Sequence, residues 1–293
     1  MEKQKISPAV PWLLLSLAIL TIACLSMPLP GLRPATAIPS TSSPIPATPT
    51  LSPAPDVTRI PTETPAEQSP IASPRLYQQV TLTAEPYSES GDDPVYTLET
   101  NSPVLEGSDD PRVVEFNRQA AFIVQELVDE FKAGFEYLPA EQLSAGSFFQ
   151  VTFTQLAPPG DLLSLQFGVD AYADGAAHPY HLTRTLNFDL ERGEVLLLAE
   201  LFLPEADYLT VMADFCKAEL ATREIGFEPG FASGADPLPE NYRNWNLTYE
   251  GLLVTFDEYQ VAPYAAGMQQ VLIPYQDLAA LIDPSGPLAP LLP

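Results

Sequence analysis

The residues with the clearest potential for metal chemistry lie close together in the middle of the chain. Asp174, His178 and His181 follow a D-x3-H-x2-H spacing, and carboxylates and imidazoles are common zinc ligands. Zinc hydrolases of the H-E-x-x-H type carry their ligands on one helix, whereas Gly175 and Pro179 favour a turn between strands here. The sequence therefore favours a structural turn over a metal site.

Other residue types in the chain could support hydrolysis. Asp257, Glu258 and Asp189 could supply the two carboxylates of a glycosidase, which must stand about 5–10 Å apart, but such pairs arise by chance among many acids. The sequence has no G-x-S-x-G elbow, and Cys216 lies in a helical pattern typical of a buried thiol. We therefore predict no catalytic residue and no cofactor. An envelope hydrolase that uses His178 and nearby carboxylates is the alternative.

The segment 259–267 has the composition of a binding loop. It connects two predicted strands and places two tyrosines next to acidic residues, which suits contact with a basic protein or a sugar polymer. The alternative is that both tyrosines pack inward and fix the loop. Together with the turn around residue 178, this segment provides the candidate ligand-binding residues Asp257, Tyr259, Tyr264, His178 and Tyr180.

The charge of the chain limits its partners. Residues 76–293 contain 34 Asp and Glu residues against 8 Lys and Arg residues, a net charge of −26. A surface this acidic repels nucleic acid and attracts cations and basic proteins. We expect no nucleic-acid binding. Solubility is the simplest explanation of the acidity, and attraction of a basic partner is the more specific one.

The first 27 residues have the features of a bacterial export segment. Lys3 and Lys5 precede an apolar run at 9–23, which is typical of a secretory signal. Three fates are open: lipidation at Cys24, an uncleaved membrane anchor, or secretion after cleavage near Ala37. Each places the bulk of the chain outside the cytoplasmic membrane, because positive residues favour a cytoplasmic N-terminus. The predicted location is extracytoplasmic, with lipid or an N-terminal helix as the anchor.

Residues 28–75 are predicted to be a disordered tether. Thirteen prolines lie between Met27 and Leu76, and large apolar residues are too sparse to form a core. Chains of this composition are stiff and extended. The tether is interpreted as a spacer between the membrane and the folded region.

The folded region is predicted to be of the α+β class, with antiparallel sheets, packed helices and two closely associated halves, 76–174 and 175–293. Asp110 and Pro111 mark the start of a helix that runs to about residue 135 with apolar residues at helical spacing. Further helices are predicted from Pro204 to about Arg223 and at 274–282, and 224–241 is predicted to be a loop. The predicted strands are 77–85, 94–100, 148–156, 162–172, 180–190, 195–198, 245–249, 252–256 and 269–273.

Two blocks in the second half carry a family resemblance. The first contains GAAHP at 175–179 and TLNFDL at 185–190. The second contains GLLVTF at 251–256, YQVAPYAAG at 259–267 and IPYQDL at 273–278. In this order and spacing they resemble the extracytoplasmic domain of RsiV-like anti-sigma factors, a module that also precedes the catalytic domain of some peptidoglycan deacetylases.

The resemblance covers roughly 77–283 and implies a binding domain. In the best-known member of that family the domain binds lysozyme, and binding permits proteolysis that releases a sigma factor. About eight residues precede the apolar run here and the chain ends at Pro293, so we expect neither a sigma-binding segment nor a deacetylase domain. The resemblance thus implies a tethered, non-catalytic binding or sensing domain for a lysozyme-like basic protein or for peptidoglycan. A structural accessory domain is the remaining alternative.

Overall fold

The computed structural model describes residues 75–137, 146–156, 160–227 and 229–289. The predicted export segment with Cys24, and the predicted tether up to residue 74, lie outside the described residues. Within the described ranges, no helix is long and apolar enough to cross a membrane. The α+β class is confirmed, because two sheets pack with four α-helices in this part of the chain.

The first sheet has six strands in the order of the chain, β1 to β6. All neighbouring strands pair antiparallel except β2 and β3, which are parallel. Uniformly antiparallel pairing, as predicted, is therefore wrong at this one position, because a helix carries the chain back to the starting end of the sheet. The strands are β1 (Thr81–Asp92), β2 (Val95–Glu106), β3 (Ser147–Gln155), β4 (Leu162–Tyr172), β5 (Tyr180–Asp189) and β6 (Glu194–Val195).

Helix α1 (Pro111–Gly134) covers one face of the first sheet. Asp110 caps it, since its side chain accepts a hydrogen bond from Arg112 N, and Pro111 occupies the first turn without losing a needed donor. The predicted start is thus confirmed. The apolar stripe of α1 packs on the inward residues of the strands and forms the first core, which includes Phe116, Val124, Leu127, Phe131, Phe149, Val151, Leu165, Phe167 and Phe188.

The second sheet, β7–β8–β9, is antiparallel and packs against helix α2. Helix α2 begins at Tyr208 rather than at the predicted Pro204, because Asp207 provides the cap and Glu205 takes a left-handed backbone conformation. The elements of this part are α2 (Tyr208–Leu220), α3 (Pro229–Ala232), β7 (Trp245–Leu247), β8 (Gly251–Phe256), β9 (Gln269–Pro274) and α4 (Tyr275–Leu278). A second core surrounds them, including Met212, Cys216, Tyr242, Leu252, Val254, Phe256 and Ile273.

Other boundaries differ from the predicted ones. Strands β1 and β2 form a hairpin of twelve residues on each side, longer than predicted, and the edge strand β1 tolerates Pro86. The predicted loop 224–241 contains α3 and two short 3-10 turns, and the terminal helix α4 has only four residues. The predicted boundary at 174/175 falls between β4 and β5, so the first sheet takes its last two strands from the predicted second half.

A buried polar seam joins the two sheets. Ser164 Oγ on β4 donates to Asn187 Oδ1 at 2.5 Å and accepts from Asn246 Nδ2 and Leu247 N, both at 2.9 Å. Asn187 Nδ2 donates to the carbonyl oxygen of Trp245 at 2.8 Å. Among the described residues, no buried side-chain nitrogen or oxygen lacks a partner. The seam fixes how β7 lies on β4 and β5, because only one register satisfies all of these groups.

Substituting Ser164→Ala tests the energetic weight of the seam. Alanine removes only the hydroxyl group, and the backbone N–H of Leu247 and one N–H of the Asn246 amide then lose their acceptor, so we expect the free energy of unfolding to fall by about 1–3 kcal/mol. Ser88→Ala on the exposed part of β1 is the matched control and should change it by less than about 0.5 kcal/mol. Equal effects in urea titrations of the two variants would contradict the assigned role of the seam.

Candidate binding site

Two loops meet at one end of the paired strands β4 and β5. The first loop connects β4 to β5 at residues 173–179, and the second follows β8 at residues 257–268. Hydrogen bonds from Tyr264 to Pro179 and between Tyr259 and His178 join them, so residues about 80 positions apart share one surface. This convergence results from the seam, which places the end of β8 beside the start of β5.

An aromatic cluster stands at the junction of these loops. The rings of His178 and Tyr264 stack with centroids 3.8 Å apart, and Tyr259 lies 5.8 Å from Tyr264. His178 Nδ1 lies 2.7 Å from the carbonyl oxygen of Pro179, which can only accept, so Nδ1 carries the proton. In the neutral ring, Nε2 then accepts from the Tyr259 hydroxyl at 3.2 Å. Both ring nitrogens of His178 are therefore occupied.

The exposed ring of the cluster belongs to a residue with an unusual backbone. Tyr259 is 56% exposed, and its φ of 65° lies in the left-handed region that side chains with a Cβ rarely adopt. Such a conformation costs free energy and is found preferentially at functional sites. A large aromatic side chain is thus exposed at a strained backbone position.

His181 links two carboxylates beside the aromatic cluster. Its Nδ1 lies 2.7 Å from Glu258 Oε1, and its Nε2 lies 3.1 Å from Asp170 Oδ1. Glu258 Oε2 also accepts the backbone N–H of His181 at 3.2 Å. Both ring contacts are hydrogen bonds only in the imidazolium form, because carboxylates accept and do not donate when ionised. We call the surface of His178, His181, Glu258, Tyr259 and Tyr264 the rim.

Asp257 lies beneath the rim, and its side chain stabilises the fold through hydrogen bonds. Its Oδ1 accepts the backbone N–H of Thr183 at 2.9 Å, and its Oδ2 accepts from Asn244 Nδ2 at 3.1 Å. Burial raises the pKa of the Asp257 carboxyl, while the hydrogen bonds from Thr183 and the guanidinium of Arg243 oppose that rise. The side chain is only 7% exposed, so it positions the second loop and presents little surface to a ligand.

The remaining predicted residues lie elsewhere. Asp174 follows β4 in the chain and is buried beside the start of β3. Its carboxylate accepts a hydrogen bond from Gly146 N at 3.3 Å, and its backbone N–H donates to Ser147 Oγ. Tyr180 faces α1 and packs on the first core, and burial raises its pKa. The described residues contain no group of three His, Cys, Asp or Glu side chains that could hold a metal ion. The structure therefore brings together His178, Tyr259 and Tyr264.

Sequence reasoning missed Asp170 as part of this surface. Asp170 lies directly across from His181 in the antiparallel pairing of β4 and β5, and that register brings the carboxylate to the imidazole. Knowledge of the register between β4 and β5 would have indicated this contact, since residues that lie directly opposite each other on one face of a sheet are neighbours.

A cavity of about 670 Å³ lies at the opposite end of the first sheet. The salt bridge between Arg75 and Asp161, 3.0 Å long, forms part of its wall, and the exposed Tyr249 forms another part. Ten residue steps along β4 separate this end from the rim, which corresponds to about 30 Å. Arg75, the first described residue, therefore lies far from the rim.

Comparison with known proteins gives a match to one family model in the second half of the chain. Residues 199–276, which include α2 and the entire second sheet, match the model of a family described as a protein of unknown function, DUF3298. The immunogenic proteins MPB64 of Mycobacterium bovis and MPT64 of Mycobacterium tuberculosis are each 25% identical to this chain over 131 residues. That match covers 45% of this chain, and the chain spans 57% of the length of these relatives.

Two solved structures of DUF3298 family proteins resemble the fold. The protein from Bacteroides fragilis has a TM-score of 0.53 and 19% identity, over 70% of this chain and 94% of that one. The protein from Pseudomonas aeruginosa has a TM-score of 0.49 and 16% identity over the same shares of the two chains. The similarity to the Bacteroides fragilis protein supports the fold described above. The mycobacterial proteins and the Bacteroides fragilis protein are bacterial, in agreement with the bacterial origin predicted from the export segment.

The raised pKa of Asp257 predicts a specific pH dependence of stability. The folded state holds this proton above the ordinary pKa of 3.8, so the contribution of Asp257 to stability is largest at low pH and falls as pH rises through the folded pKa. Asp257→Asn does not titrate. The free energy of unfolding of the native chain, relative to Asp257→Asn, should decline from below pH 3.8 to neutral pH in urea titrations. A difference that rises with pH would contradict the assignment.

Proposed function

We propose that this chain is a tethered extracytoplasmic binding domain that contacts a basic protein through the rim. The observation that carries the proposal is the exposed, left-handed Tyr259, which stacks with Tyr264. Glu258 is buried against His181, and His181 in turn contacts the half-exposed carboxylate of Asp170. Aromatic side chains supply contact area at low entropic cost, and the exposed carboxylate of Asp170 favours cationic groups on the partner.

The hydrogen bonding of the rim supports binding more than catalysis. Each ring nitrogen of His178 and of His181 already has a partner, and the Asp257 carboxylate is enclosed by donors. A general acid or base needs a lone pair or proton that is free to reach a substrate. A hydrolase that uses His178 would have to break these contacts first, so this alternative has less support.

The charge of the domain supports a basic partner. A net charge of −26 over residues 76–293 accelerates encounter with cationic proteins and makes the rate depend on salt. Such long-range attraction brings the partner near, while the rings of the rim supply the short-range contacts. A specific complex therefore keeps part of its affinity when salt screens the charge.

The position of the rim also supports a receptor-like arrangement. Arg75, the first described residue, lies about 30 Å along the sheet from the rim. Lipid at Cys24 or an uncleaved N-terminal helix would anchor the chain at the membrane. The resemblance to RsiV-like domains makes a lysozyme-like protein the first partner to test, and peptidoglycan the second.

The direct test is calorimetry of the full chain with hen-type lysozyme at about 0.05 and 0.3 M salt, near and beyond physiological screening. We expect binding at both salts and inhibition of lysozyme activity. Binding that disappears at the higher salt would reduce the interaction to nonspecific charge and overturn the proposal. Absence of lysozyme binding together with retention on peptidoglycan sacculi would move the assignment to the glycan.

Tyr259→Gly separates binding from folding. Glycine adopts a positive φ without strain, so we expect the free energy of unfolding to stay constant or rise by about 1 kcal/mol. Affinity for lysozyme should fall by about 2 kcal/mol or more if Tyr259 is a contact. Tyr249→Gly, which removes a tyrosine 68% exposed at the opposite end, is the control and should leave binding unchanged. Loss of stability with retained binding would indicate that Tyr259 only packs.

A further inference from the structure

We propose that the interaction surface extends from the rim over the uncovered face of β2, β3 and β4, and that this face accepts arginine side chains of the basic partner. We call it the outer face, because it lies opposite α1. This inference rests on the proposed function and names additional contact residues. Its central feature is an aromatic row beside an acidic row.

The strand registers define the outer face. Residues of β4 alternate, with Leu165, Phe167 and Val169 buried toward α1, while Ser164 and Asp170 point to the other side. The second sheet covers that other side at β5 and at the start of β4, through the seam. On β3, the alternate positions 148, 150, 152 and 154 are exposed. The outer face is therefore open over β3 and the end of β4.

The aromatic row consists of Phe148 and Tyr172. They lie directly opposite each other in the pairing of β3 and β4, and their rings stack with centroids 6.2 Å apart. Phe148 is 39% exposed and Tyr172 is partly exposed, although Phe149 and Val151 on the other face of β3 are buried. A stacked pair of partly exposed rings outside the core offers an aromatic surface for a planar cation.

The acidic row runs parallel to the aromatic row, two residues along each strand. Glu99 on β2 lies opposite Gln150 on β3, and Gln150 lies opposite Asp170 on β4. Asp170 then contacts His181, which contacts Glu258 of the rim. The spacing between the two rows is about 7 Å. The row thus leads across the sheet directly into the rim.

The absence of positive charge makes the outer face selective. Strands β1 to β4, as described, contain no Lys or Arg, and Glu99 forms no ion pair with a described residue. A carboxylate without a cationic neighbour, as at Glu99, favours an incoming cation, and rings beside it favour the guanidinium of arginine over the more strongly hydrated ammonium of lysine. A basic protein segment with arginine side chains fits both rows.

The test measures binding of the full chain to two peptides of equal charge, hexa-arginine and hexa-lysine, by calorimetry at low salt. We expect the arginine peptide to bind more tightly. The double variant Phe148→Leu/Tyr172→Leu should reduce that preference by roughly two- to fivefold for each ring removed. Phe122→Leu, which alters an exposed ring on α1, is the matched control and should leave the preference unchanged.

A second variant tests the acidic row without altering packing. Glu99→Gln should weaken binding of both peptides, whereas Glu126→Gln on the exposed side of α1 should not. Equal binding of the two peptides to the native chain would overturn the proposal, as would a preference that survives the double variant. If the double variant loses binding to peptidoglycan sacculi but keeps the preference for arginine, the outer face binds a glycan. That result would also overturn the proposal.

The experiments distinguish failure of the outer-face proposal from failure of the proposed function. Lysozyme binding that depends on Tyr259 but not on Phe148, Tyr172 or Glu99 would confine the contact to the rim and refute the extended face. Lysozyme binding that is insensitive to Tyr259 would refute the rim, whatever the peptides show.

Discussion

The hydroxyl group of Ser164 is the contact on which the arrangement of the two sheets depends. It donates to Asn187 and accepts from Asn246 and Leu247, so its hydrogen-bonding capacity is filled by one geometry alone. A shift of β7 by one residue would leave several buried polar groups without partners, at a cost of about 1–3 kcal/mol each. Two apolar surfaces could slide over each other, but a polar seam with every group satisfied holds a single alignment.

The surface at the end of the strands follows from that alignment. Beyond the seam, Asp257 accepts the backbone N–H of Thr183, and the next residue, Glu258, reaches His181. The second loop is thereby fixed against the first, and its rings stack on His178. At this place the fold contains a buried carboxylate and a left-handed tyrosine, and hydrogen bonds between the two loops hold the aromatic rings together. Because a left-handed backbone at Tyr259 costs free energy, we interpret this place as a binding surface.

The sequence predicts the elements of this fold better than their assembly. Asp110, Pro111 and the apolar spacing after them predict α1 correctly, and the alternation at 162–172 predicts β4 to the residue. The same alternation places Ser164 and Gln166 opposite the apolar residues, but a local pattern cannot show that the second sheet covers these polar side chains. The contact of His181 with Asp170 and the parallel pairing of β2 with β3 depend on register and on connection through α1, which are properties of the whole sheet. His178, Tyr259 and Tyr264 could be named in advance from composition, but their convergence could not.

The most direct test of the account is hydrogen–deuterium exchange of the full chain with and without hen-type lysozyme. The account predicts that lysozyme slows exchange at 178–181, at 257–267 and in β3, while Leu76–Gln78, 189–193 and the turn at Tyr249 stay unchanged. These two sets lie at opposite ends of the first sheet, so the result locates the contact without ambiguity. Slower exchange around Arg75 and Tyr249, or no change anywhere, would contradict the claim that the rim is the binding surface.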